Sequence, residues 1–210
     1  ASGATLASGD SLTSPNGQFT LTMQSNGNLV WRITGGRTLW TSRTSGHSGA
    51  VAVMEGDGVL RVKDGSDVLW SSSNSGTSGD ALSLQSNGQM VVGTTWSSRT
   101  LYTSLQPGDV LRSGWYVSSE NRRCRATMGA TGNIAVTDAT GQVLYDNQVA
   151  LGPNATSTLL FSGEFVTRSA GGSLGFTTWT TGRPHDYVTV TNSGRLAVIG
   201  NSTKTLWSTQ

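Results

Sequence analysis

The sequence predicts an all-β protein built from repeated antiparallel hairpins. Glycine accounts for 28 of the 210 residues, only 12% of the residues are charged, and no stretch has the apolar spacing of an amphipathic helix. Short runs of alternating apolar and polar residues are instead separated by turns that contain glycine. These runs predict half-buried strands, and a chain with strands this regular and charges this sparse is not expected to be disordered.

The segment from Phe19 to Ile33 shows the repeating unit most clearly. Its turn signal is Asn26-Gly27, and apolar residues alternate on both sides of that turn. We expect a three-residue loop that places Met23 opposite Trp31, because a two-residue loop would mix apolar and polar side chains on each face. One face then carries Leu21, Met23, Leu29, Trp31 and Ile33, and the other carries Thr22, Gln24, Val30 and Arg32.

The hairpin recurs, and an aromatic motif follows each copy. The motif is an aliphatic residue, an aromatic residue and then Ser, Thr or Asp, and the whole repeat is roughly thirty residues long. A unit of this size is one small sheet, which cannot bury its apolar face alone. We expect the aromatic residues to pack near two axes, in the groups Trp40, Trp70 and Tyr102, and Tyr145, Trp179 and Trp207.

A longer repeat divides the chain into two halves. The segment Leu6–Ser14 reappears 99 residues later as Leu105–Ser113, with the pattern Leu-x-x-Gly-Asp-x-Leu in both copies. The domains are therefore predicted to be residues 1–104 and 105–210, with three hairpin units each. Three sheets that are each apolar on one face can bury those faces as the sides of a triangular prism around a shared core.

The composition argues against several classes of function. A net charge of +2 without a cluster of lysine and arginine is not typical of a nucleic-acid-binding protein, and no apolar run is long enough for membrane insertion. Cys124 is the only cysteine, and His47 and His185 lack the spacing of metal ligands, so we expect no internal disulfide, metal or other cofactor. The acidic residues are few and scattered, without the paired carboxylates or the nucleophile and base of an enzyme.

The first hairpin carries a recognisable motif. It reads Gln24-x-Asn26-x-Asn28-x-Val30-x-Arg32, which resembles the QxDxNxVxY motif of the monocot mannose-binding, or bulb-type, lectins. The Leu-x-x-Gly-Asp-x-Leu openings and the Leu-Trp-x-Ser motifs resemble the same family. The resemblance implies two tandem β-prism II domains, each with three antiparallel sheets around a pseudo-threefold axis. The first half then resembles a bulb-type lectin domain, and the second a lectin-like domain with degenerate sites.

The resemblance also implies a set of carbohydrate-binding residues. In the family, the glutamine, aspartate, asparagine and tyrosine bind sugar hydroxyls, and the valine packs against the apolar face of the sugar. Asn26 stands in the place of the aspartate, and Arg32 stands in the place of the tyrosine. The third hairpin carries a second, partial match. The candidate residues are Gln24, Asn26, Asn28, Val30, Arg32, Gln85, Asn87, Gln89 and Val91.

The remaining hairpins depart from the motif. In the second hairpin, we expect the five motif positions to be almost devoid of hydrogen-bonding side chains, and they are Met54, Gly56, Gly58, Leu60 and Val62. No hairpin of the second half keeps the glutamine. Sugar binding is therefore expected mainly in the N-terminal half.

The expected function is that of a secreted, non-catalytic lectin whose partners are mannose-type or other cell-surface glycans. The tandem arrangement is similar to that of lectin-like bacteriocins, which would dock on a surface polysaccharide. Two further points stay open at this stage. The chain could instead be a protein-interaction or structural module whose sugar sites have decayed, and it could form a homodimer.

Overall fold

The computed structural model describes residues 3–73, 76–98, 102–181, 185–200 and 203–210. Every regular element in these ranges is a strand, and no helix there is long and apolar enough to cross a bilayer. The predicted all-β class is therefore confirmed. The chain forms two compact units, residues 1–100 and 101–210, so the division comes four residues before the predicted one.

The first unit contains three antiparallel sheets. The first two sheets have four strands each, and the third has three. In spatial order, the first sheet is β2 (Ser11–Thr13), β3 (Phe19–Met23), β4 (Leu29–Ile33) and β5 (Thr38–Thr41). The second is β1 (Thr5–Leu6), β6 (Val51–Met54), β7 (Leu60–Asp64) and β8 (Asp67–Ser71). The third is β9 (Leu82–Leu84), β10 (Met90–Val92) and β11 (Trp96–Ser97).

The second unit also contains three antiparallel sheets, each of four strands. The first is β14 (Tyr116–Ser118), β15 (Cys124–Met128), β16 (Ile134–Asp138) and β17 (Val143–Asp146). The second is β13 (Val110–Arg112), β18 (Thr156–Leu159), β19 (Phe165–Arg168) and β20 (Leu174–Thr177). The third is β12 (Ser104–Leu105), β21 (Tyr187–Val190), β22 (Leu196–Ile199) and β23 (Thr205–Ser208).

The apolar face of the first hairpin forms part of the core, as predicted. Leu21, Met23, Leu29, Trp31 and Ile33 are all buried. Burying one large apolar side chain stabilises a fold by about 1.5–3 kcal/mol, so this strip fixes the orientation of the hairpin. The alternate residues must then point outward, which leaves one face of the sheet to polar side chains.

The predicted register of the first hairpin is wrong by two residues. Met23 lies opposite Leu29 and not opposite Trp31. The loop closes one step earlier, because Gln24 N–H donates to the Asn28 carbonyl at 2.9 Å and Gly27 N–H donates to the Gln24 carbonyl at 3.0 Å. Side chains alternate with a period of two, so this shift leaves each residue on its predicted face.

Three tryptophans of the first unit pack against one another. The ring centroids of Trp40, Trp70 and Trp96 lie 5.1, 5.5 and 6.1 Å apart, in edge-to-face arrangements that favour aromatic packing. The third member was predicted to be Tyr102, which is wrong: Tyr102 belongs to the second unit. Residues 100 and 101 of its motif lie outside the described residues.

The second unit also differs from the predicted aromatic group. Phe176 packs edge-to-face against Trp207, with centroids 5.7 Å apart, whereas Trp179 is 80% exposed. The strand that carries Phe176 ends at Thr177, so Trp179 lies beyond it. The prediction chose the wrong aromatic residue because two of them occur within four positions of the motif.

The opening motif forms the same turn in both units but leads to different sheets. Asp10 Oδ2 accepts from Ala7 N–H and Asp109 Oδ2 accepts from Gln106 N–H, both at 2.9 Å. The strand before this turn pairs in the second sheet of the first unit, but in the third sheet of the second unit. By position in the fold, β1 and β2 correspond to β13 and β14, which lie 105 residues later. The repeat of 99 residues in the sequence therefore aligns the two turns but not the equivalent strands.

Candidate functional site

The outward face of the first sheet gathers the first group of predicted site residues. Across β3 and β4, Thr22 lies opposite Val30, and Thr20 lies opposite Arg32. On the other side of β4, Val30 pairs with Thr41, and Arg32 pairs with Thr38. We call the face formed by these side chains and the Gln24 side chain the first-hairpin face: Thr20, Thr22, Gln24, Val30, Arg32, Thr38 and Thr41.

Gln24 presents a free amide to this face. Its backbone closes the turn by donating to the Asn28 carbonyl at 2.9 Å. Its side chain is half-buried and makes no hydrogen bond within the part of the chain that the structure describes. A side-chain amide both donates and accepts, so Gln24 can bind a hydroxyl of either polarity.

Asn26 and Asn28 use their side-chain oxygens to build the loop. Asn26 Oδ1 accepts from Asn28 N–H at 3.1 Å, which is the hydrogen bond of an Asx turn. Asn28 Oδ1 accepts from the Thr41 hydroxyl at 2.7 Å, from the Ser42 hydroxyl at 3.1 Å and from Thr44 N–H at 3.2 Å. Asn28 therefore holds the hairpin tip against β5, and its amide nitrogen is the group left for a ligand.

Val30 offers little apolar surface to a ligand. It is 3% exposed, and its neighbours across the strands are Thr22 and Thr41. The resemblance implied that this valine packs against the apolar face of a sugar. A side chain this buried can contribute only a small contact unless its neighbours move.

Arg32 forms no ion pair with an acidic side chain of the described residues. It is half-buried, and its Nε is inaccessible and lacks a hydrogen-bond partner. The ion pairs of the described residues join His47 to Asp64, Arg61 to Asp57 and Lys63 to Glu55, and none includes Arg32. Its cross-strand neighbours Thr20 and Thr38 carry hydroxyls, not carboxylates.

The predicted alignment of the second hairpin is wrong by one residue. Met54 pairs with Leu60, and both are buried, together with Val62. By the register, the motif positions are instead Glu55, Asp57, Val59, Arg61 and Lys63. A one-residue slip moves every side chain to the opposite face, so the face predicted to be apolar is charged.

The charges of the second hairpin satisfy one another. Arg61 donates to both oxygens of Asp57 at 2.9 and 2.8 Å, and Lys63 Nζ lies 3.0 Å from Glu55 Oε1. The hydrogen bond from Arg61 holds the pKa of the Asp57 carboxyl below its usual value. These pairings leave few free hydrogen-bonding groups for a ligand.

The third hairpin carries the second group of predicted site residues. Gln85 is half-buried, and its side chain has no hydrogen bond within the described ranges. Asn87 Oδ1 accepts from Gln89 N–H at 3.1 Å, as Asn26 does in the first hairpin, and Gln89 is 7% exposed. Val91 is partly exposed. This face thus keeps the amides of the first-hairpin face.

The third hairpin has no cation at the position of Arg32. That position is Gly93, which has a φ of +56°. A side chain there would displace the carboxyl group of Asp80, and the positive φ by itself favours glycine. Among the described residues, no group of three histidine, cysteine, aspartate or glutamate side chains could hold a metal ion.

Comparisons with known proteins identify similar structures. No family model and no curated protein matches the sequence. A Marasmius oreades lectin is 24% identical, with 51% of this chain and 90% of that chain covered and a TM-score of 0.47. A two-domain fetuin-binding agglutinin from Scilla campanulata is 21% identical, with 98% and 93% covered and a TM-score of 0.41. A lectin from Allium sativum is 33% identical, with 43% and 88% covered and a TM-score of 0.39. The chain is similar to these lectins.

Proposed function

We propose that this protein is a non-catalytic carbohydrate-binding protein and that its principal site is the first-hairpin face. One observation carries the proposal: the side chains of Gln24 and Arg32 form no hydrogen bond or ion pair with another described residue, although the fold places both on one face. Polar side chains that lie side by side and have no hydrogen-bond partner within the chain can bind a polar ligand. The motif resemblance points to a sugar as that ligand.

The chemistry of the face fits a pyranose. A sugar ring presents hydroxyls that donate and accept, and the face offers the Gln24 amide and the Arg32 cation. The neighbouring Thr22 and Thr41 hydroxyls are already bonded to Ser11 and Asn28. Few groups of the face are free to bind, so we expect one site to bind a monosaccharide near the millimolar level, or about −4 kcal/mol. Binding to a multivalent surface would raise the apparent affinity without new contacts.

Two further points of the proposal are the class of glycan that is bound and the unit that binds it. Mannose-type or related surface glycans are the expected ligands, bound mainly by the N-terminal unit. The third-hairpin face, with Gln85 and Val91, is the second site that we propose. Its amides support weaker binding, because the cation of the first-hairpin face is absent there.

We also propose that the protein is secreted and acts on glycans of a cell surface, as a lectin-like bacteriocin would. The support is the tandem arrangement and the resemblance described above. Spotting the purified protein on lawns of related bacteria tests this role, and zones of clearing that disappear in Gln24→Ala support it. A homodimer would appear in sedimentation as a species of twice the mass of the chain.

A protein-interaction module with decayed sugar sites is the second candidate. The internal use of the Asn26 and Asn28 oxygens favours it, because those atoms are then lost to a ligand. A glycan array separates the two candidates. Signal on mannose-rich or rhamnose-rich glycans supports the lectin, and a flat array supports the module.

Single substitutions locate the site. Gln24→Ala should abolish binding at the first-hairpin face and leave the melting temperature nearly unchanged, because its side chain bonds to no other described residue. Gln142→Ala is the matched control, since Gln142 is an exposed glutamine of the second unit. Equal binding by both variants would contradict the proposed site, and a large fall in melting temperature for Gln24→Ala would make that glutamine structural.

A further inference from the structure

The segment that contains the first sheet carries more positive than negative charge. Residues 1–54 contain Arg32, Arg37 and Arg43 but one acidic residue, Asp10. The Asp10 carboxylate is already used, since it accepts from Ala7 N–H at 2.9 Å. The first-hairpin face therefore has a cation and no carboxylate of its own.

The second hairpin shows what an internal partner for this cation would look like. The registers of the two hairpins place Glu55 at the position of Gln24 and Lys63 at the position of Arg32. Lys63 Nζ lies 3.0 Å from Glu55 Oε1, so a cation at this position reaches an acid at the other. In the first hairpin the acid is replaced by the neutral amide of Gln24.

The equivalent arginine of the second unit is also satisfied. The register of β18 and β19 places Arg168 at the position of Arg32, and its Nη1 donates to the Gly172 carbonyl at 3.1 Å. Lys63 and Arg168 thus both have partners within the chain. Arg32 bonds to no other described residue. Its Nε is inaccessible, so the terminal nitrogens of this half-buried guanidinium are the groups left for an external partner.

We propose that the first-hairpin face binds an acidic sugar, whose anionic group lies between Arg32 and Gln24 in the place that the Glu55 carboxylate takes in the second hairpin. This inference rests on the proposed function and narrows its ligand class. A guanidinium binds carboxylates and sulfates through charge-assisted hydrogen bonds, and the half-buried position of Arg32 reduces screening by salt. The Gln24 amide supplies a further donor.

The side chains that flank Arg32 are neutral hydroxyls. Thr20 and Thr38 lie on either side of Arg32 across the strands. The Thr20 hydroxyl is bonded to the Thr34 hydroxyl at 2.7 Å, and Thr34 donates to the Gly17 carbonyl at 2.8 Å. Because Thr34 donates its proton to Gly17, Thr20 donates to Thr34 and has no proton left for a ligand. The Thr38 hydroxyl bonds to no other described residue, so it is the hydroxyl beside Arg32 that can donate to an anion.

Titration calorimetry with a matched pair of oligosaccharides tests the inference. Oligomannuronate and a neutral mannan oligosaccharide of the same linkage and length differ mainly by the carboxylate. We expect the acidic ligand to bind at least about tenfold more tightly to the unaltered protein, which is about 1.4 kcal/mol. Dextran sulfate against dextran forms a second arm, and the arm with the larger preference identifies the anion as a carboxylate or a sulfate ester.

Three variants decide whether Arg32 carries the preference. Arg32→Gln should lose it, whereas Arg168→Gln, which changes the net charge equally at the matching position of the second unit, should keep it. Gln24→Glu should also lose it, because the new carboxylate would pair with Arg32 as Glu55 pairs with Lys63. A melting temperature for Gln24→Glu at or above that of the unaltered protein would accompany this internal pair.

The outcomes separate the inference from the proposed function. Equal affinity for acidic and neutral ligands, or an equal loss in Arg32→Gln and Arg168→Gln, overturns the acidic-sugar inference but leaves sugar binding intact. Binding to neither ligand by the unaltered protein overturns both. A preference for either anion that depends on Arg32 and weakens from low to high salt supports the inference.

Discussion

Replacing Trp31 with phenylalanine is a sharp test of how the first sheet positions the third hairpin. Trp31 is fully buried, packs against Phe19 at a centroid distance of 5.5 Å, and donates its indole N–H to the Gly88 carbonyl at 2.8 Å. Gly88 lies at the tip of the third hairpin, beside the predicted site residues Asn87 and Gln89. The hydrogen bond therefore ties the core of one sheet to the site of another.

The magnitude follows from two losses. Removing a buried hydrogen bond costs about 0.5–1.5 kcal/mol, and the smaller ring adds a cavity term, so Trp31→Phe should destabilise the first unit by about 1–3 kcal/mol. Trp31→Ala should cost about 3–5 kcal/mol, as for other large core aromatics. Urea unfolding followed by circular dichroism measures both changes.

The control is the same chemical change at an exposed tryptophan. Trp179 is 80% exposed, so Trp179→Phe should alter the unfolding free energy by less than about 0.5 kcal/mol. Calorimetry assigns the effect to one unit if the two units melt separately. A change below about 0.5 kcal/mol for Trp31→Phe, or equal changes at the two positions, would refute the packing described for the first unit.

Three other predictions concern charge, the loop and a sheet edge. The hydrogen bond from Arg61 lowers the pKa of Asp57, so this pair should stabilise the fold above the usual carboxyl pKa and stop doing so as the pH falls through the lowered value. An NMR titration should place the midpoint of Asp57 below 3.8, and Arg61→Gln should raise that midpoint. Asn28→Ala should destabilise by about 1–3 kcal/mol in urea unfolding, because three donors lose their acceptor; no change would mean that these bonds are not structural. Amides of β9 should exchange faster than those of β21, since β12 pairs with β21 and no described strand pairs with the corresponding edge of β9; equal protection would contradict an open edge.

The two faces of the first hairpin were predictable from the sequence. Side chains alternate between the faces, so an error of two residues in the register leaves each side chain on the same face. Leu21 and Trp31 were assigned to the core from their spacing, and both are buried. The exact register was not predictable, since Asn26 and Gly27 fit two loops of equal length equally well. The backbone bond from Gln24 to Asn28 decides between them, and that bond leaves no sign in the sequence.

The misalignment of the second hairpin by one residue could have been avoided from the sequence. Two glycines, Gly56 and Gly58, allow the turn to be placed in more than one way, and the chosen placement put core residues on the surface. The charge pattern around the turn, with Glu55 and Asp57 before it and Arg61 and Lys63 after it, could have found the right alignment. Opposite charges at alternating positions on both strands predict a shared outward face.

The roles of the site residues could be predicted only in part. The motif placed Gln24, Asn28 and Arg32 on one hairpin, and the structure keeps all three near its outward face. Which polar atoms are already used depends on contacts from distant strands, such as Thr41 and Ser42 on the Asn28 oxygen. Such contacts are tertiary, so a motif alone cannot distinguish a residue that builds the loop from one that binds a ligand.

An NMR titration of side-chain N–H signals tests the central claim most directly. The protein is labelled with ¹⁵N, and the Gln24 amide and Arg32 Nε–H signals are followed as oligomannuronate and then neutral mannan oligosaccharide are added. We expect saturable shifts of both signals, larger for the acidic ligand, while the signals of Gln142 and Arg168 stay in place. Shifts confined to other residues, or no shift at either signal with either ligand, would contradict sugar binding at the first-hairpin face.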